Sequence, residues 1–68
     1  MKIMANGQTQ WMREGATVAD LVTELGHHPN RPGVAVAVNG VVVPRTTWQA
    51  RVLADGDSVE VLGAVQGG

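Results

Sequence analysis

One α-helix packed on a single face of a mixed five-stranded sheet, an α+β fold, is predicted by three features of this 68-residue chain. Two Asn-Gly dipeptides, at 6–7 and 39–40, each stand between strand-like runs. Asn-Gly so placed is the strongest short-range hairpin signal, because both residues tolerate positive φ. Between the two hairpins, Val18, Leu21, Val22 and Leu25 recur at i, i+3, i+4 and i+7, which is one apolar stripe of a helix. After the second hairpin, "SVEVLGAV" reads as a last strand. A helix with one apolar stripe must bury it, and one face of a small sheet is the simplest partner.

The elements follow in order. The first hairpin joins "MKIMA" to "QTQWM". A two-residue turn there places Met4 opposite Thr9 and Lys2 opposite Trp11, with Ile3 and Met12 on the other face. The helix lies within "REGATVADLVTELG". Thr17 caps its first turn, Asp20 three residues on completes an approximate capping box, and Gly26 supplies the stop. "HHPNRPG" is a loop by its prolines, Asn and Gly. "VAVAV" alternates large and small residues, and "VVV" returns from the second turn to stop at Pro44, which cannot donate to a ladder. "TTWQARVLADGD" reads as irregular or briefly helical and ends in a tight turn. The order ββ-α-ββ-β is that of a ubiquitin-like β-grasp roll, spanning residues 1–63, with a flexible tail over 64–68.

Bulk composition narrows the function. A chain of this length buries only about 60% of its unfolded surface and usually relies on staples or a very regular core. No cysteine is present, so disulfides and thiolate metal sites are excluded, which fits a reducing compartment. Five basic and six acidic side chains leave a formal charge of -1, against the clustered basic face expected of a nucleic-acid binder. No run reaches the roughly 20 apolar residues that span a bilayer, and no leading apolar run suggests a signal peptide. The expectation is a cytoplasmic domain with no nucleic-acid or membrane partner.

Alternation within the strands assigns faces. Ile3, Met12, Val59 and Val61 are expected to meet the helix, while Met4, Trp11, Glu60 and Leu62 face outward. An outward Met, Trp and Leu on a small sheet form a candidate partner surface. The chain then closes on "AVQGG". Glycine has no side chain to bury and loses the most freedom on ordering, so a Gly-Gly end does little for the fold. Alone it reads as a frayed terminus; otherwise it is there for another protein to hold.

"VNGVVVPRTTW" (38–48), "ADGDSVEV" (54–61) and the terminal "AVQGG", together with "MKIMANG" and "EGATVADLV", resemble the ThiS family of thiamine-biosynthesis sulfur carriers nearly end to end. The resemblance implies a β-grasp fold and a chain that is not itself an enzyme. It implies that an E1-like adenylating enzyme (ThiF-like) uses ATP and Mg to adenylate Gly68, and that a persulfide or sulfide donor then converts it to a thiocarboxylate. A thiazole synthase (ThiG-like) would receive the sulfur. Ala64, Val65, Gln66 and Gly67 would thread into the partners' active sites, and no cofactor or metal would be bound by the chain itself. Two alternatives stay open: the small subunit of molybdopterin synthase, and a ubiquitin-like modifier or binding module.

The remaining residues have plainer readings. Arg45 is either a contact for a partner's acidic group or a solvated surface residue. Trp48 is expected to cover one end of the core, since Trp is highly buried on average. Adjacent His27 and His28 point in different directions and lack a third ligand, so no metal is expected there. Asp55-Gly56-Asp57 lacks the ligand spacing of a calcium loop and reads as a turn.

Overall fold

The computed structural model describes residues 1–63. Five strands, β1 (Lys2–Ala5), β2 (Gln8–Trp11), β3 (Val34–Val38), β4 (Val41–Val42) and β5 (Ser58–Gly63), accompany one helix, α1 (Val18–Glu24). A single 3-10 turn covers Arg45–Thr47. The sheet order is β2-β1-β5-β3-β4. β1 and β5 pair in parallel, and every other neighbouring pair is antiparallel. The last strand is thus inserted between the two hairpins and ties them into one sheet.

The first hairpin has the register its turn dictates: Met4 faces Thr9 and Lys2 faces Trp11. Asn6 (φ 52°) and Gly7 (φ 80°) both lie in the left-handed region, as a turn matched to strand twist requires. In the second hairpin Asn39 and Gly40 do the same, at φ 50° and 83°. The returning strand is shorter than the three valines suggest. β4 ends at Val42, while Val43 turns inward, is buried, and donates its N–H to the Val36 carbonyl at 2.9 Å.

The helix is seven residues long, so both ends need partners for their free backbone groups. All four donors of the first turn are satisfied. Val18 N–H bonds Arg51 O at 3.0 Å and Ala19 N–H bonds Trp48 O at 3.1 Å. Asp20 N–H bonds Thr17 Oγ1 at 3.2 Å, and Leu21 N–H bonds Thr17 O at 3.1 Å. Asp20 returns the favour to Thr17 N–H at 2.9 Å, closing the capping box. At the other end Gly26, at φ 91°, lets its own N–H reach Thr23 O and that of His27 reach Val22 O. That pair of bonds is a Schellman motif.

The core lies between α1 and the inner sheet face. Ile3, Leu21, Val18, Val22, Val36 and Val59 are its largest fully buried aliphatic members, and Trp48, 2% exposed, closes one end as expected. Its indole N–H is satisfied by Val43 O at 2.8 Å. Among the described residues no buried side-chain nitrogen or oxygen lacks a partner. Among them, too, no helix is long and apolar enough to cross a membrane.

Candidate functional site

The candidate site is the end of β5 and the sheet face beside it. Of the residues expected to carry chemistry, Ala64, Val65, Gln66, Gly67 and Gly68 lie outside the described residues, and the structure speaks to what delivers them. β5 is held from both sides by side chains of the two hairpin turns. Asn6 accepts from Val61 N–H at 2.8 Å and donates to Val61 O at 3.1 Å, so its amide continues the β1–β5 ladder one step past the end of β1. Opposite, Asn39 accepts from Ser58 N–H at 2.9 Å through Oδ1, and its backbone N–H bonds Ser58 O at 2.7 Å. Asn39 also donates to buried Asp57 at 3.0 Å, and Asp57 accepts from Ala54 N–H at 2.8 Å. Asp55 accepts from Lys2 N–H at 2.8 Å. The Asp-Gly-Asp turn is therefore a staple between β1 and β5.

The outer face carries the residues expected of it, but they do not form one patch. Trp11 is 69% exposed and Leu62 65%. Trp11 is level with Lys2, and Met4 is level with Ser58. Six residues of strand, about 20 Å, therefore separate the levels of Trp11 and Leu62. Leu62 stands at the end from which the chain leaves; Trp11 is at the opposite corner, and Met4 lies between them, half-buried. The neighbours of Leu62 are instead Ala35, directly across on β3, then Ala37 and the 73% exposed Val42 on β4. The alternation of "VAVAV" is what creates this. Its valines point into the core and its alanines outward, leaving a shallow apolar groove of about 120 Å³ between Leu62 and Val42, with Glu60 at its side.

Arg45 is half-buried and engaged within the chain. Its guanidinium lies 4.5 Å from the centre of the Trp48 ring and donates to the carbonyls of Pro29 and Val34. A cation held over an indole and bonded to two carbonyls is an internal strut, tying the 27–33 loop to the core. His28 Nδ1 accepts from Asn30 N–H at 3.1 Å, and among the described residues no cluster of His, Asp and Glu has metal-ligand geometry. Arg13 bonds Asp20 at 3.2 Å. The carboxyl of Asp20 is held below its ordinary value, chiefly by the Thr17 N–H and also by the Arg13 charge, against the opposing effect of desolvation.

The sequence profile of the ThiS family matches residues 2–68. The chain belongs to the ThiS family. The sulfur carrier protein ThiS of Escherichia coli is 32% identical over 68 residues, with all of both chains covered. A thiazole synthase of Magnetococcus marinus is 40% identical over 68 residues, which are the whole of this chain but 20% of that protein. A ThiS-like segment is thus part of the same polypeptide as a thiazole synthase in that organism. In the crystal structure of the thiamine biosynthesis protein ThiS from Geobacter metallireducens, the fold superposes with a TM-score of 0.79 at 31% identity and full coverage of both chains. The solution structure of a thiamine biosynthesis protein from the same organism gives 0.81 at 30% identity, covering 88% of that chain. The β-grasp architecture is therefore that of solved ThiS structures.

Proposed function

We propose that this ThiS-family sulfur carrier works through the carboxylate of Gly68, which is adenylated and then converted to a thiocarboxylate that supplies the sulfur of the thiamine thiazole. The observation that carries this reading is that the whole chain, Gly67 and Gly68 included, aligns over the whole of a sulfur carrier protein. The chemistry needs no catalytic side chain on the carrier. A carboxylate is a poor acyl donor because its leaving group is oxide. Attack of the Gly68 carboxylate oxygen on the α-phosphorus of ATP, with Mg held by the activating enzyme, expels pyrophosphate and leaves an acyl-adenylate. A sulfide donor then displaces AMP and gives the thiocarboxylate directly. A persulfide donor gives an acyl disulfide, whose S–S bond a thiol must cleave by reduction. With no cysteine in the chain, the sulfur rides on the main-chain terminus.

The partners this requires are an E1-like, ThiF-like adenylating enzyme, a persulfide or sulfide donor, and a ThiG-like thiazole synthase. The fused relative supports the last of these. Glycine at 67 and 68 suits both enzymes because a backbone without Cβ can approach other groups closely. Ordering Ala64 to Gly68 costs on the order of 1–2 kcal/mol per residue, so a docking surface on the folded body has to offset it. We assign that role to the groove beside Leu62, at the end of β5 that carries Gly63; Met4 and Trp11 extend the face away from it. Release of pyrophosphate from ATP by the purified activating enzyme tests the reading. It should depend on this chain and be lost when Gly68 is removed; release that survives removal would overturn it.

A further inference from the structure

Gly63 differs from the turn glycines. Gly7, Gly15, Gly26, Gly40 and Gly56 have φ between 80° and 91° and open space where a Cβ would stand. Gly63 has no such φ, yet a Cβ built on it would lie 2.7 Å from His27 Cε1, with Nδ1 at 3.4 Å and Nε2 at 3.6 Å. Folded proteins essentially never show a contact that close, so the space of a side chain at position 63 is already filled by the imidazole. The ring is there because the helix stop puts it there. Gly26 turns the chain, the His27 N–H is bonded back to Val22 O at 3.1 Å, and the side chain is delivered onto the end of β5. Gly63 is the last residue of that strand, paired with Val34, and its missing Cβ points to the inner face, as do the side chains of Val59 and Val61.

We infer that His27 is a positioning residue for sulfur loading: its ring fills the inner side of β5 at Gly63 and fixes the backbone at the last described residue before the segment that carries Gly68. This rests on the reading that Gly68 is the loaded residue. His27 and Gly63 also line an open cleft of about 490 Å³ with His28, Arg31 and Pro32. A Cβ at position 63 can therefore push the ring aside into that cleft rather than disturb the core.

The test uses the full chain with a purified ATP-dependent adenylating enzyme, ATP, Mg and sulfide as the donor. Thiocarboxylate is measured by alkylation, and kcat and KM are obtained by varying the carrier. Gly63→Ala and His27→Ala should each lower kcat about tenfold, in line with the effect of misplacing a reacting group by a fraction of an ångström. KM should change less than about twofold because the docking face is intact, and the thermal midpoints should stay near that of the wild type. In the double variant the alanine methyl occupies part of the space left by the ring. It should recover part of the loss, the non-additive pattern of residues in contact. Wild-type loading with both single variants unchanged, or with their losses simply multiplying, overturns the inference and leaves the loading reading standing. Failure of the wild-type chain to load overturns both.

Discussion

Asn6 is where one side chain both shapes a turn and extends the sheet, and Asn6→Ala measures it. Two bonds to Val61, at 2.8 and 3.1 Å, are lost. At about 1 kcal/mol net apiece they account for about 2 kcal/mol. Alanine must also hold a φ of 52°, which adds about 1 kcal/mol. The expected loss is about 3 kcal/mol. A 68-residue domain has a total stability of about 3–10 kcal/mol, so this is a large share of it, and the thermal midpoint should fall by about 12–24 °C. Urea unfolding, followed by far-ultraviolet circular dichroism and by the fluorescence of buried Trp48, gives the value directly. The slope should be unchanged, because the same surface is exposed on unfolding. Asn6→Gly, which keeps the backbone conformation, should fall between wild type and Asn6→Ala. A loss below about 0.5 kcal/mol for the alanine variant, as for an ordinary surface change, would refute the reasoning that the Asn6 amide serves as a rung of the sheet.

Trp48→Phe leaves the buried Val43 carbonyl without its donor and should lose about 1–3 kcal/mol in the same urea assay. Asp20 has a folded-state pKa below its ordinary value of 3.8. Its contribution to stability is therefore complete above that value and is lost as pH falls through the depressed one. The stability gap between wild type and Asp20→Asn, measured by urea unfolding, should be flat above about pH 5 and close in the acid range. Leu62→Asp should weaken binding to the activating enzyme by at least about tenfold in calorimetry with the thermal midpoint unmoved, since Leu62 is exposed on the outer face. Unchanged binding would remove the groove from the account.

The sequence made local order readable and left non-local order hidden, for physical reasons that can be traced residue by residue. Asn6-Gly7 specified a turn type, and a two-residue turn leaves one register open to its strands, so the pairing of Met4 with Thr9 followed. Thr17, Asp20 and Gly26 marked the helix ends because capping is a short-range exchange of hydrogen bonds. Faces followed from the two-residue period of strands. Strand order did not, since nothing in the period of β5 says which edges it pairs with. That omission is why Met4, Trp11 and Leu62 looked like one surface and prove to be spread along the sheet, and why Val42 went unseen as the neighbour of Leu62. Turn chemistry hid the roles of Asn6, Asn39 and Asp57 in the same way. Their residue types suit a turn by themselves, and their side-chain bonds to β5 depend on where that strand lies. The internal contacts of Arg45, which read as a partner contact or a solvated charge, went unseen because Pro29 O and Val34 O offer no charge or pattern to notice. Gly63 falls inside the run "SVEVLGAV" in the sequence, though it is the last residue of β5, and a glycine in such a run often marks close approach of another group; that was the one sequence signal for His27.

Because the chain has no cysteine, sulfur loaded on Gly68 can be read by thiol chemistry without background from the protein. The chain is incubated with ATP, Mg, a sulfur source and cell extract, treated with a thiol-alkylating reagent, and fragmented in a mass spectrometer to locate the label. Fragmentation is essential, because replacing oxygen by sulfur changes the mass almost as oxidation of one of the three methionines does. A label on Gly68 alone is expected, dependent on ATP and absent when that glycine is removed. No label from an extract that loads an established sulfur carrier would contradict it.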